Sequence, residues 1–188
     1  MPSDRIRLAA VAVLGAWLMG TAGRASSAEP LVTEAIINAP VSEVWRVLTT
    51  PDGWRLMGVA HVEIDLAIGG EIRSHYDPAG ALGDPNTIVN EILAYDPGRM
   101  LAIRVKQAPA SFEHRDAVDA TWSVFYLYPL GEEMTNLQVV GLGYGDDAAS
   151  QQMRKHFEAG NRWTLDRIVS HYAPKFARCE AEEQDGTR

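Results

Sequence analysis

The sequence predicts an α+β domain in which a curved antiparallel sheet of six or seven strands wraps one long C-terminal helix, with two short helices after the first strand. Three observations predict it. Residues 61–142 alternate apolar and polar side chains with period two, and turn-forming stretches separate the runs. Residues 41–54 hold two short helical patterns directly behind a strand-like run. Residues 147–173 carry a single long stripe of helical period. Hairpin-linked strands make an antiparallel sheet. A sheet with one apolar face must cover it, and the last helix is the long amphipathic element able to do so. A bent sheet cannot touch a helix everywhere, so a cleft is expected between them.

The elements follow in order. Residues 31–38 (LVTEAIIN) read as a strand rich in β-branched and apolar residues. Pro40 fixes a turn, Ser42 is expected to cap the next helix, and Val44, Trp45, Val47 and Leu48 form its apolar face. Trp45 is read as core. Thr49-Thr50-Pro51-Asp52 starts a second short helix, because proline suits the first helical position; Trp54 falls on it. Val62, Ile64 and Leu66 then alternate with His61, Glu63 and Asp65. Gly69-Gly70 turns the chain into residues 71–76, where Ile72, Ser74 and Tyr76 share a face. Residues 77–86 are a loop, 87–94 a strand, and Asp96-Pro97-Gly98-Arg99 a hairpin turn into 100–105.

Residues 106–119 are polar and irregular, long enough to be a lid or a mobile loop. The strongest strand signal is 120–128, with Trp122, Val124, Tyr126 and Tyr128 on one face and Ser123, Phe125 and Leu127 on the other. Residues 134–142 return with Thr135, Leu137 and Val139 in alternation. Asp146 and Asp147 place negative charge at the start of the last helix, which its dipole favours. Its stripe holds Met153, Phe157, Gly160, Asn161, Thr164, Leu165, Ile168 and Tyr172, and Pro174 ends it.

Of 188 residues, 46% are apolar and 22% charged, ordinary values for a globular domain. Residues 1–28 stand apart. Arg5 and Arg7 precede an apolar run from Leu8 to Met19, and small residues lead to Ser26-Ser27-Ala28. This is the pattern of a secretory signal peptide cleaved after Ala28, and the run is shorter than the ~20 residues a bilayer-crossing helix needs. An uncleaved anchor is the other reading. The domain is then 29–174, followed by a polar tail at 175–188 expected to be disordered. Cleavage removes Asp4, Arg5, Arg7 and Arg24, leaving 24 acidic against 14 basic residues and a net charge of −10. Such a protein repels nucleic acid and anionic lipid, so neither is expected as a partner. Cys179 stands alone, which leaves no internal disulfide, and no activating partner for the thiol is visible.

The order of elements resembles the START-like (SRPBCC) superfamily, and within it the branch of the activator of Hsp90 ATPase homologues. The resemblance spans roughly 33–172. It is carried by Ile37-Asn38-Ala39-Pro40-Val41-Ser42-Glu43-Val44-Trp45, by Thr49-Thr50-Pro51-Asp52, by Ile68-Gly69-Gly70, and by Gly160, Leu165 and Ile168 on the last helix. Two departures stand out. That branch usually carries tryptophan directly after the helix glycine; here the position is Asn161, with Trp163 two residues on. The 106–119 segment is also long for the pattern. The resemblance implies a helix-grip fold and a cleft that takes lipids, hormones, polyketides or other apolar molecules. It leaves open a polyketide cyclase or dehydratase activity, and a co-chaperone role that export disfavours.

The residues themselves narrow the chemistry. Trp54, Tyr76, Trp122, Tyr126 and Phe157 are the aromatic residues expected near the cleft, where aromatic walls with a few polar tips suit a small molecule; ordinary core packing is the alternative. Asn161 is a polar residue on the apolar stripe, expected to meet either a polar ligand group or a neighbouring strand. The histidines are His61, His75, His114, His156 and His171, in no metal-binding spacing, so neither metal nor cofactor is expected. By strand parity His61 and His75 are expected to be solvated. Glu91 is read as solvent-facing rather than as a general base. Gly141-Leu142-Gly143-Tyr144-Gly145 is read as a strand-to-helix turn, since it lacks the strand–helix–strand context of a nucleotide loop. The sequence thus points to an exported, periplasmic or secreted, binding protein for a small apolar or aromatic molecule.

Overall fold

A computed structural model describes residues 29–174. The leader read at 1–28, Cys179 and the tail at 175–188 lie outside the described residues. Seven strands form one antiparallel sheet: β1 (Leu31–Ile37), β2 (His61–Ile64), β3 (Glu71–His75), β4 (Ile88–Asp96), β5 (Met100–Gln107), β6 (Trp122–Pro129) and β7 (Thr135–Leu142). Their order is β1-β7-β6-β5-β4-β3-β2, so only β1 leaves sequence order, pairing with the last strand. Register shifts at Val89/Asn90 and Ile92/Ala94 interrupt the β4–β5 ladder, and such irregularities bend a strand and raise its twist.

Among the described residues, four helices accompany the sheet: α1 (Val41–Thr49), α2 (Pro51–Leu56), α3 (Arg115–Val118) and α4 (Ala148–His171). Thr50 caps α2 by accepting from the Gly53 amide, with Pro51 in the first turn. Asp147 caps α4 by accepting from the Ser150 amide at 2.9 Å. Ser42 is not a cap. The chain enters α1 through Pro40, whose carbonyl accepts from the Glu43 and Val44 amides, so Ser42 already lies inside the first turn.

The core forms in two parts. The larger joins α1, α2 and the C-terminal half of α4 to the sheet through Ile37, Val44, Leu48, Ile72, Ile92, Leu101, Leu137, Leu165 and Ile168. The smaller joins Leu31, Val118, Tyr144 and Met153, with Phe112 and Phe157 against them, at the other end of α4. The middle of the α4 stripe, Phe157 to Thr164, lies between the two.

Two loops depart from expectation. The 106–119 segment is neither open nor wholly irregular: β5 runs to Gln107, α3 occupies 115–118, and Val118 is buried against α4. His75 is not solvated. Parity does point it away from the helix, but loop 77–86 folds over the sheet and buries it. His75 Nδ1 lies 3.1 Å from the Asp77 amide nitrogen and 3.2 Å from the Asp77 carbonyl oxygen, and Nε2 lies 3.1 Å from the Asp84 carboxylate.

Asp84 also accepts from the amides of Ala81 and Asn86. The Ala81 amide, helped by Asn86 and His75 and opposed by partial burial, holds the Asp84 carboxyl below its ordinary range. A carboxyl depressed on folding stabilises above its unfolded value, about 3.9, and the contribution is lost as pH falls through the lower folded value. Loop 77–86 is therefore expected to loosen only well into acid. The Ala81 and Asn86 amide NMR signals should titrate with a midpoint below ~3.9, and Asp84→Asn should abolish that titration. A midpoint at or above the ordinary value would contradict the clasp.

Candidate functional site

Between the two parts of the core lies a cleft of about 470 Å³, bounded by the concave face of the sheet, α4, α2 and the 106–119 segment. Its floor is set by register. On β7, Leu137 and Val139 face α4, and they pair with Leu127 and Phe125 on β6. Odd-numbered β6 residues therefore face inward, and Ser123 and Phe125 line the cleft. Leu101, Ile103 and Val105 of β5, Ile88 and Asn90 of β4 and Ser74 of β3 continue the same face.

Five of the six residues singled out from sequence line this cleft. Trp54 projects from α2 as a buried wall, its Nε1 donating to the Leu48 carbonyl at 2.9 Å. Phe157 and Asn161 face it from α4. Tyr76, half exposed, and Trp163 face each other at the rim with ring centroids 6.5 Å apart, and Arg167 stacks on Trp163 at 5.0 Å. Trp122 reaches the edge of the cleft while remaining 40% exposed. Tyr126 does not line it. It lies on the convex face, stacked on Tyr128 at 6.1 Å. Alternation along β6 was legible, but which face is concave depends on pairing with β7, and no residue of β6 alone reveals that.

Tyr144, from the turn into α4, folds back beneath Gly141, where any side chain would collide with its ring and hydroxyl. Burial drives its hydroxyl up to about 12, so near neutrality the phenol is a hydrogen-bond donor. Burial also raises the Tyr76 hydroxyl. Ser74 Oγ is buried without a hydrogen-bond partner, and of the three such side-chain atoms among the described residues it is the one on the cleft lining. Asn90 is 7% exposed, and its amide likewise takes no partner among the described residues.

A family model described as polyketide cyclase/dehydrase and lipid transport matches residues 30–126, just over half of the chain. The chain belongs to this family. No curated protein matches it. Among solved structures, a protein from Mesorhizobium loti is similar with a TM-score of 0.60 at 19% identity, over 76% of this chain and 95% of that one. The Aha1 dimer from Colwellia psychrerythraea is similar at 0.60 and 12% identity, over 77% and 96%. The ZhuI aromatase/cyclase from Streptomyces sp. R1128 is similar at 0.56 and 21% identity, over 77% and 93%. At such identities the likeness establishes the fold alone, a helix-grip α+β arrangement.

Within this family's fold, the chemistry of this particular cleft is sparse. No carboxylate stands among its described lining residues. Glu91 faces outward on the convex side, paired with Arg104 at 2.7 Å. His156 stands exposed at the mouth, with Phe112 of the 106–119 segment 4.9 Å away. A second groove of about 890 Å³ runs between α1, α2 and the C-terminal part of α4. It is open and lined by charges of both signs, among them Glu43, Arg46, Asp166 and Arg167, so water competes there for any polar contact. The apolar cleft is the better candidate.

Proposed function

We propose that this chain is an exported binding protein that holds a small hydrophobic or aromatic molecule between the sheet and α4. One observation carries the reading: a cleft of about 470 Å³, walled by Trp54, Phe125, Phe157 and aliphatic side chains, with no carboxylate on its described lining. Such a lining favours apolar burial, at roughly 25 cal/mol per Å² removed from water, over acid–base chemistry. Membership of a family described by cyclase, dehydrase and lipid-transport activities supports a ligand in this space. The leader-like residues 1–28 support export to the periplasm or medium. A purified mature protein beginning at Glu29 is the expected outcome of N-terminal sequencing.

Gly160 provides the test of binding. It lies mid-helix at the exposed edge of the cleft lining, and a Cβ there would meet nothing within 4 Å. A mid-helix glycine costs about 0.5–1 kcal/mol relative to alanine, so Gly160→Phe should fold at least as well while placing a ring at the edge of the cleft. Native followed by denaturing mass spectrometry of wild-type protein should find a retained apolar molecule, or fluorescence should report binding of the neutral probe N-phenyl-1-naphthylamine. Gly160→Phe is expected to weaken the probe by about tenfold or more. Unchanged probe affinity in a folded Gly160→Phe variant would remove the cleft as the site.

A cyclase or dehydratase of the same cleft is a second reading, favoured by the Tyr144 hydroxyl, a donor on the lining of the cleft that stays protonated near neutrality. It predicts turnover of the retained molecule by pure protein, lost in Tyr144→Phe with binding kept.

A further inference from the structure

Two polar side chains of the cleft lining, Ser74 and Asn90, are neighbours on one wall. Ser74 pairs with Ile88 across β3 and β4, and Ile72 pairs with Asn90. Ser74 and Asn90 are therefore diagonal neighbours on the concave face, roughly 7 Å apart at the backbone. Trp54, Ile88, Ile103 and Leu101 supply apolar lining around them. Ser74 is 1% exposed and its hydroxyl has no partner. Asn90 is 7% exposed and its amide makes no hydrogen bond among the described residues. Buried polar groups in folded proteins are nearly always paired, and an unpaired hydroxyl beside a carboxamide on one cavity wall calls for a reason.

Building on the reading of the cleft as a binding site, we propose that Ser74 and Asn90 form a subsite for one uncharged oxygen function, a ketone or hydroxyl, on an otherwise apolar ligand. The donor inventory fits. A serine hydroxyl both donates and accepts, and a carboxamide offers two N–H donors and one acceptor. A carbonyl oxygen can take a bond from each residue. A carboxylate fits poorly, because burying it requires a cation. The basic side chains on the lining are Arg104, engaged with Glu91 at 2.7 Å, and His156, exposed at the mouth. The cleft thus selects a neutral oxygenated molecule over a fatty-acid-like anion.

Three probes of one shape separate the cases: 2-acetylnaphthalene, 2-ethylnaphthalene and 2-naphthoate, titrated calorimetrically at neutral pH into wild type, Ser74→Ala and Ser74→Ala/Asn90→Leu. Wild type should bind the ketone about tenfold more tightly than the hydrocarbon, and about tenfold more tightly than the carboxylate. In the double variant the ketone and hydrocarbon should come within about twofold, with hydrocarbon binding kept. A second readout separates a ligand role from a structural one. Removing unpaired polar atoms from the interior should raise the ligand-free Tm by about 2–4 °C, whereas a structural role would lower it. Parity of ketone and hydrocarbon in a wild-type protein that binds both, selectivity that survives the double variant, or 2-naphthoate binding tightest would each overturn the subsite alone. Failure of all three probes to bind would overturn the cleft reading and this inference with it. If the double variant does not fold, the wild-type rank order and Ser74→Ala decide.

Discussion

Gly143→Ala is expected to destabilise the protein by on the order of 3 kcal/mol, a large share of the ~5–15 kcal/mol by which a domain of this kind is folded. Two independent costs combine. Gly143 has φ of 84°, a conformation that side chains other than glycine rarely adopt. A Cβ there would also lie 1.9 Å from the Ala120 carbonyl oxygen, a backbone atom that cannot swing aside. The position matters because it is the joint between β7 and α4. The turn brings Tyr144 beneath Gly141 and Asp147 to the start of α4, so its geometry aims the helix across the concave face. Gly145→Ala is the control. Its φ is not positive, and its added Cβ would approach the movable Asp147 carboxylate, at 2.8 Å. Urea unfolding of the two variants should separate them by about 2 kcal/mol or more. A loss below about 1 kcal/mol for Gly143→Ala would show that the joint relaxes freely.

How much of this was visible in the sequence depends on how local the signal was. The grouping of side chains onto two faces of β3, β6 and β7 follows from alternation alone, and the α4 stripe from its period, because each is written within one element; β1 is legible as a strand, but its faces are not, since Val32 and Ile36 are exposed and Thr33 is buried. Tyr126 was misplaced and His75 misjudged for a shared reason. Concavity of a face, and coverage of a face by a distant loop, arise only when strands pair and loop 77–86 folds back. The 106–119 segment contains Val118 and Phe112, which bury against α4, yet four residues of helix amid polar neighbours carry too weak a period to be read. Ser74 and Asn90 are a different matter. Asn90 shares its face with Ile88 and Ile92, and Ser74 shares its face with Ile72, so each is a polar residue at an apolar position. That is the signal by which Asn161 was singled out on α4, and it was present on the strands as well. Local rules are broken most usefully at sites where a ligand, rather than the chain, completes the packing.

Trp54→Ala is expected to cost about 3–5 kcal/mol, the range for emptying a large aromatic site in a core. Trp54 is 9% exposed and belongs to the larger part of the core while also forming a wall of the cleft. Its loss removes the ring and leaves the Leu48 carbonyl without the Nε1 donor it has at 2.9 Å. Trp54→Phe isolates the second effect. It keeps most of the apolar contact and should cost about 1–3 kcal/mol, the penalty for a buried carbonyl left unpaired. The same substitution enlarges the cleft toward α2, which couples stability to ligand. A molecule that binds only the folded state adds RT ln(1 + [L]/Kd) to stability, so N-phenyl-1-naphthylamine at saturation should raise the melting temperature of wild type and restore part of what Trp54→Phe loses. Thermal melts with and without the probe measure both terms at once. If Trp54→Ala lost less than about 1.5 kcal/mol, Trp54 would be a lining residue that the fold does not lean on. If the probe stabilised Gly160→Phe as much as wild type, the stabilising molecule would be bound somewhere other than between the sheet and α4. The two outcomes are independent, because the first concerns how α2 is held to the core and the second concerns only the room that Gly160 leaves beside it.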